Sequence, residues 1–185
     1  IGLTMQDVFL FSDTVESNIA YGVPDTSMEN VLDSAVIADA DEFVSGMPEK
    51  YDTIVGERGT GLSGGQKQRI SLARALAKHA PVLILDDTTS AVDMETEEYI
   101  QQQLKAMPDK CTTIIIAQRV SSVKHADYIY ILDKGKIIEE GSHRELMKKG
   151  GYYYKTCVMQ HGLDEAEADG HLRSALEGAL EGGAV

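Results

Sequence analysis

The sequence has 185 residues, 43% of them apolar, and a formal charge of −13. That length suits one substantial domain or one large piece of a bigger one, and the charge argues against a nucleic-acid partner held on a general basic surface. No run reaches the ~18 to 20 consecutive apolar residues needed to cross a bilayer, so any membrane contact would have to come from other polypeptide.

In chain order, the opening IGLTMQDVFLF is already patterned and lacks an initiator Met, which reads as a fragment cut from something longer. From Asp13 to about Lys50 the signals are helical. VESNIAYG closes with Gly22 at a C′ position, and Ser27 caps MENVLDSAVIADA, whose Val31, Leu32, Ala35 and Ala38 share one face. A further helix starts at Ser63 and runs through Ile70, Ala73, Leu76 and Ala77, with Lys78 and His79 in its last turn and Pro81 beyond.

The chain then changes to short β-rich runs separated by helices: VLIL (82–85), TTIIIA (112–117) and YIYIL (128–132). Between the first two, TEEYIQQQLKAM is long enough for a right-handed crossover helix, so those strands should be parallel. DKGK folds YIYIL back against KII as a hairpin, and Ser142 with Glu145 forms a capping box for HRELMKK, which Gly150 can stop. The stretch DEAEADGHLRSALEGALEGGAV is rich in Asp, Glu, Ala and Gly and reads as a solvated extension. Cys111 and Cys157 have no metal-ligand spacing and read as buried thiols, in keeping with a reducing compartment.

Two stretches carry chemistry. GTGLSGGQKQR, from Gly59 to Arg69, satisfies G-x-G-x-x-G, with an Asp ending a strand roughly twenty-odd residues on, as in a dinucleotide-binding fingerprint. That fingerprint needs an apolar strand running straight into the first glycine, and here Glu57 and Arg58 intervene after a short TIV, which weighs against a nicotinamide dehydrogenase. LSGGQ at a helix start instead places a hydroxyl (Ser63), two glycine amides (Gly64, Gly65) and a side-chain amide (Gln66) at the positive end of a helix dipole, a set suited to a terminal phosphate. A capping box alone would explain Ser63 and Gln66. It does not call for two glycines, each weakening a helix by ~1 kcal/mol relative to Ala, and that cost points to close backbone approach to a ligand. The second stretch, VLILDDTTSAVD, ends a strand in adjacent acids, Asp86 and Asp87, an arrangement used to hold a metal ion and activate a water.

LSGGQKQRISLARAL followed by LILDDTTSAVD closely resembles the nucleotide-binding domain of ATP-binding cassette transporters, and residues 1 to 160 join the resemblance. MQDVFLF looks like the Q-loop, with Gln6 as its glutamine. LSGGQ resembles the signature motif, VLILDD the Walker B strand, SAVD with Asp93 the D-loop, and IIIAQRVSSVKHADYIYILDKGKIIEEGSH the switch region and its sequel. VGERG is similar to the loop that touches the transmembrane domain in exporter-type members, which gives Glu57 a coupling role. The resemblance implies an α/β phosphate-loop NTPase fold in partial form. A helical subdomain would occupy about 13–80 and the second part of the parallel-sheet core about 81–160, with 161–185 as a flexible acidic tail. It implies ATP and Mg2+, nucleotide contacts from Gln6, Ser63, Gly64, Gly65, Gln66 and Asp93, and metal contacts from Asp86 and Gln6. No G-x-x-x-x-G-K-[ST] occurs, and the expectation is that this loop and its strand lie upstream in the parent chain, leaving the VLILD strand with an uncovered edge.

Two positions depart from the family pattern. Asp87 stands where hydrolytic members normally have Glu; its carboxylate, one methylene shorter, falls ~1.5 Å further from the water, and ~1 Å of misplacement can cost on the order of a hundredfold in rate. Gln118 stands where the switch histidine is normal and cannot carry a proton as imidazole does. Because domains of this family pair head to tail, each ATP lies between one domain's Walker motifs and the other's signature. The resemblance therefore implies the degenerate half of a heterodimeric exporter: Asp87 and Gln118 serve a slow site, while the intact signature completes the partner domain's hydrolytic site. The implied partners are that second domain and the transmembrane domain of the same parent chain, at the cytoplasmic face of a membrane. A non-hydrolytic regulatory ATP-binding subunit is the alternative. Among lesser residues, His79, His125 and His143 read as surface or capping groups, and Tyr152 to Tyr154 as packing.

Overall fold

A computed structural model of the chain describes residues 1–107 and 111–161; the acidic extension lies outside the described residues, apart from the helical backbone of His161. The contacts divide the chain into two compact units, Ile1–Gln118 and one beginning at Arg119.

The first unit is built on a three-stranded parallel sheet, β1 (Gly2–Thr4), β2 (Val82–Asp86) and β3 (Thr112–Ile116), in the order β1-β2-β3. The register pairs Thr4 with Leu85 and Asp86 with Ile116, so the carboxyl ends of all three strands finish together. The crossover helix is α5 (Met94–Ala106), two residues longer at its start than TEEYIQQQLKAM because Asp93 accepts from the Thr96 N–H and caps it, and one residue shorter at its end. β2 is paired on both sides, which overturns the expected uncovered edge: IGLT is itself a strand and occupies that side. Three residues is too short a run to show alternation, so the sequence pattern concealed it.

Helices α1 (Val15–Ala20), α2 (Met28–Ile37), α3 (Asp41–Ser45) and α4 (Gly64–Leu76) bury a shared core of Leu10, Val15, Ile19, Val31, Ala35, Val44, Ile70, Leu72 and Leu76. Thr14 and Ser27 cap α1 and α2 through their hydroxyls. Two expectations shift here. Leu32 is exposed and Ser34 buried in its stead, because α2 turns Val31, Ser34, Ala35 and Ala38 inward. α4 stops at Leu76, so Lys78 and His79 lie past its end, with His79 in the left-handed region at φ 43° and its Nε2 on Asn30 Oδ1.

One side chain ties α4 to the segment after Gln6. Arg74 donates from Nε to Asn18 O at 2.7 Å, from Nη1 to Phe9 O at 2.9 Å and from Nη2 to Asn18 Oδ1 at 2.9 Å. Its guanidinium also lies over the rings of Phe11 and Tyr21, which stack 4.1 Å apart. Asn18, 1% exposed, receives the Phe11 N–H and donates to the Phe11 and Thr14 carbonyls. Burial lowers the Arg74 pKa from its ordinary value, with the Tyr21 hydroxyl opposing.

The second unit holds α6 (Val120–Val123), the antiparallel hairpin β4 (Ile129–Asp133) and β5 (Lys136–Gly141), α7 (His143–Lys149) and α8 (Tyr152–His161). Ser142 and Glu145 form the expected capping box, and Gly150 ends α7 at φ 62°, a left-handed conformation that glycine adopts without a Cβ penalty. Val120, Ile129, Leu146, Met147, Tyr153 and Cys157 form its core. Of the three tyrosines expected to pack, Tyr153 is buried with its hydroxyl on His143 Nδ1, whereas Tyr152 is exposed. Cys157 is buried as expected; Cys111 is only partly so. Among the described residues no helix is long and apolar enough to cross a membrane.

Candidate functional site

The sheet places three of the singled-out segments at one end. Gln6 follows β1, Asp86 is the last residue of β2 with Asp87 next, and Gln118 follows β3. The ends of adjacent parallel strands are where ligands bind in open α/β sheets. Two bonds draw the segments together: Asp87 N–H donates to Ile116 O at 2.8 Å, and the hydroxyls of Thr4 and Thr88 are hydrogen-bonded to each other. Gln6 and Gln118 are exposed, while Asp86 and Asp87 are partly covered. Asp87 sits at φ 50°, in the left-handed region that a short polar side chain such as Asp enters far more readily than a long one.

The LSGGQ tip is a separate construction. Ser63 accepts from Gln66 N–H at 3.2 Å, and Gln66 Oε1 receives Ser63 N–H at 2.9 Å, so the capping box is complete. Ser63 and Gly64 are exposed. The two glycines differ. A Cβ on Gly65 would lie 2.8 Å from Ala91 O and 3.3 Å from Val92 Cγ1, so its lack of a side chain is accounted for within the chain. A Cβ on Gly64 would meet only Ala91 Cβ at an ordinary 3.5 Å. Gly65 thus needs no ligand to explain it, and of the two glycines Gly64 alone has no close neighbour within the chain that requires one.

Gln68, which the sequence reading passed over, joins the tip helix to the acid turn. It is 6% exposed, and every polar atom of its amide is used. Nε2 donates to Asp87 O at 3.3 Å and Ser90 Oγ at 3.0 Å, and Oε1 receives Ala91 N–H at 3.0 Å. The signal was present: Gln68 lies three residues after Gly65 and four before Leu72, a polar group on the buried stripe of α4, and such a group must find partners. Beyond it, Thr89 Oγ1 donates to Glu97 Oε1 at 2.7 Å, where Glu97 is 2% exposed. Asp93 caps α5, and the Thr96 N–H holds its carboxyl below the usual carboxylate range. Glu57 is exposed in a short 3-10 turn, followed by Arg58 in the left-handed region at φ 54°.

The donor set at the sheet end is carboxylate and amide oxygen, the hard ligands that magnesium prefers. Among the described residues no three His, Cys, Asp or Glu side chains gather into a metal-binding group. Magnesium needs no such cage, because it is commonly held by one or two carboxylates together with phosphate oxygens and water.

Residues 1–90 match the family model described as ABC transporter. The chain is 55% identical over 161 residues to the uncharacterized ABC transporter ATP-binding protein YknU of Bacillus subtilis, covering 87% of this chain and 28% of that protein. It is 52% identical over 160 residues to an ATP-dependent lipid A-core flippase of Legionella pneumophila, covering 86% and 27% respectively. Among solved structures, a bacterial Atm1-family ABC exporter with ATP bound superposes with a TM-score of 0.83 at 42% identity, covering 86% of this chain and 28% of that one. The fold is that of an ABC ATPase, a phosphate-loop NTPase. The chain belongs to the ABC transporter ATP-binding domain family and carries that domain in part, spanning about 28% of the length of the relatives it matches.

Proposed function

We propose that this chain is part of the ATP-hydrolysing motor of an exporter, working head to tail with a second nucleotide-binding domain. The transmembrane domain would belong to the same parent chain, with the motor at the cytoplasmic face. The observation that carries the reading is the alignment of Gln6, Asp86, Asp87 and Gln118 behind three adjacent parallel strand ends, because it puts both departures from the family pattern at one place. Asp86 and Gln6 would hold Mg2+, which when bound neutralises developing phosphate charge. Gln118 would donate to a terminal phosphate, and Asp87 would orient water poorly. The Ser63–Gln66 tip, with Asp93, would serve the nucleotide of the neighbouring domain, and Glu57 would couple closure to the transmembrane domain.

In this arrangement the home site holds ATP and turns it over slowly, and the partner domain supplies the fast site. The left-handed backbone of Asp87 supports a holding role, since it favours the shorter acid over the glutamate that hydrolysis would use. The test is made in the full-length transporter with its partner: Ser63→Ala should abolish steady-state hydrolysis and Asp87→Asn should change it only modestly. The reverse pattern would mean that this chain's own acids do the chemistry. Loss of transport with hydrolysis unchanged in both variants would favour a regulatory subunit.

A further inference from the structure

Between the signature tip and the acid turn lies a seam within one chain. On the α4 side are Gly65, whose bare backbone admits the Ala91 carbonyl, and Gln68, whose amide clasps residues 87, 90 and 91. On the loop side, Ser90 Oγ also donates to Asp87 O at 3.0 Å, and Val92 is buried. Neither side can slide without breaking several bonds to a buried amide, and polar groups left unmet away from water are costly. A capped helix and a turn locked in this way are displaced together.

We infer that Gln68 is a positioning residue that makes the signature tip and the acid turn of this chain shift together, and so links this domain's own nucleotide to the one its tip completes next door. The inference rests on the two-site reading above. Ser63 stands at the exposed end of α4, and Gln68 lies between it and Asp87, so a push on the acid turn is passed to the tip through one amide. Gln68 need not touch nucleotide to act.

The experiment uses the full-length transporter assembled with its partner and measures kcat, KM for ATP and the thermal midpoint for Gln68→Met, Ser90→Ala and the pair. Methionine keeps the volume of the side chain and removes its hydrogen bonds. Gln68→Met should lower kcat by about tenfold to a hundredfold, as expected for sub-ångström to ångström misplacement of a reacting group, with KM for ATP unchanged. Ser90→Ala, at an exposed position, should lower kcat severalfold, and the double variant should be no worse than Gln68→Met, because both act through one turn. Unchanged kcat in folded Gln68→Met, or losses that simply multiply, would overturn the inference while leaving the two-site reading intact. Should Gln68→Met fail to fold, Ser90→Ala decides, and an unchanged kcat there overturns the proposal. A wild-type transporter that binds no ATP would remove both the two-site reading and this inference.

Discussion

The Asp87 N–H donates to Ile116 O at 2.8 Å, so the turn that carries the second acid is pinned to the strand whose end leads to Gln118. With its carbonyl held by Gln68 and Ser90, the Asp87 backbone is fixed on both sides in a left-handed conformation. Asp87→Glu therefore tests backbone and chemistry at once. The longer side chain should cost about 1 kcal/mol in stability, read from chemical denaturation, and should raise hydrolysis at the home site, read in a transporter whose partner site is disabled.

Gly64→Ala and Gly65→Ala should move stability in opposite directions. Alanine at 64 finds ordinary space and gains up to ~1 kcal/mol of helix propensity. At 65 it meets the Ala91 carbonyl backbone and should destabilise by about 1–3 kcal/mol. Paired melting curves check this, and a loss of hydrolysis in the more stable Gly64→Ala would place a nucleotide against that amide.

Ser63 is both a cap and a candidate phosphate ligand, and one substitution separates the roles. Ser63→Asn preserves capping, so its stability should stay within a few tenths of a kcal/mol of wild type, whereas Ser63→Ala should lose ~1 kcal/mol. Steady-state hydrolysis should fall in both.

Arg74→Lys keeps the charge and loses the planar fork that reaches Phe9 and Asn18 together. We expect about 1–3 kcal/mol of destabilisation from the charge-assisted bonds that lysine cannot make together, read from chemical denaturation.

Two capping carboxylates set the acid limit of their helices. Asp93 and Glu145 are both held below the ordinary range, chiefly by the backbone N–H groups of Thr96 and Ser142 respectively. A depressed folded pKa adds stability that is complete above the unfolded value and disappears as pH falls through the folded one. The melting temperature should be flat with respect to these groups from pH 7 to about 5 and should decline below about pH 4. Asp93→Asn and Glu145→Gln should each shrink that decline.

Much of the architecture was legible because its signals are local. Ser27, Ser63 and Ser142 each cap the helix that follows, and the β2–helix–β3 unit is parallel as the crossover length requires. What escaped depends on contacts remote in sequence. β1 is a strand only because β2 accepts it, and Leu32 faces solvent because α2 packs by its Ser34 side. At the site, Ser63 caps α4 and Asp86 ends β2, positions readable from local pattern alone. Gly65 does not call for a ligand because Ala91, far along the chain, fills its space, and Gln68, although its place on the buried stripe of α4 marks it, has partners that only the fold identifies.

The placement of β1 beside β2 sets how this domain meets other polypeptide. An intruding strand can dock only along an outer flank, on β1 or on β3, and cannot insert beside the rung that bears Asp86. Loss of residues 1–4 would turn the acid-bearing strand into a rim open to addition on that side. The three residues that the periodic pattern hid are the ones that keep the strand ending in Asp86 in the interior of the sheet.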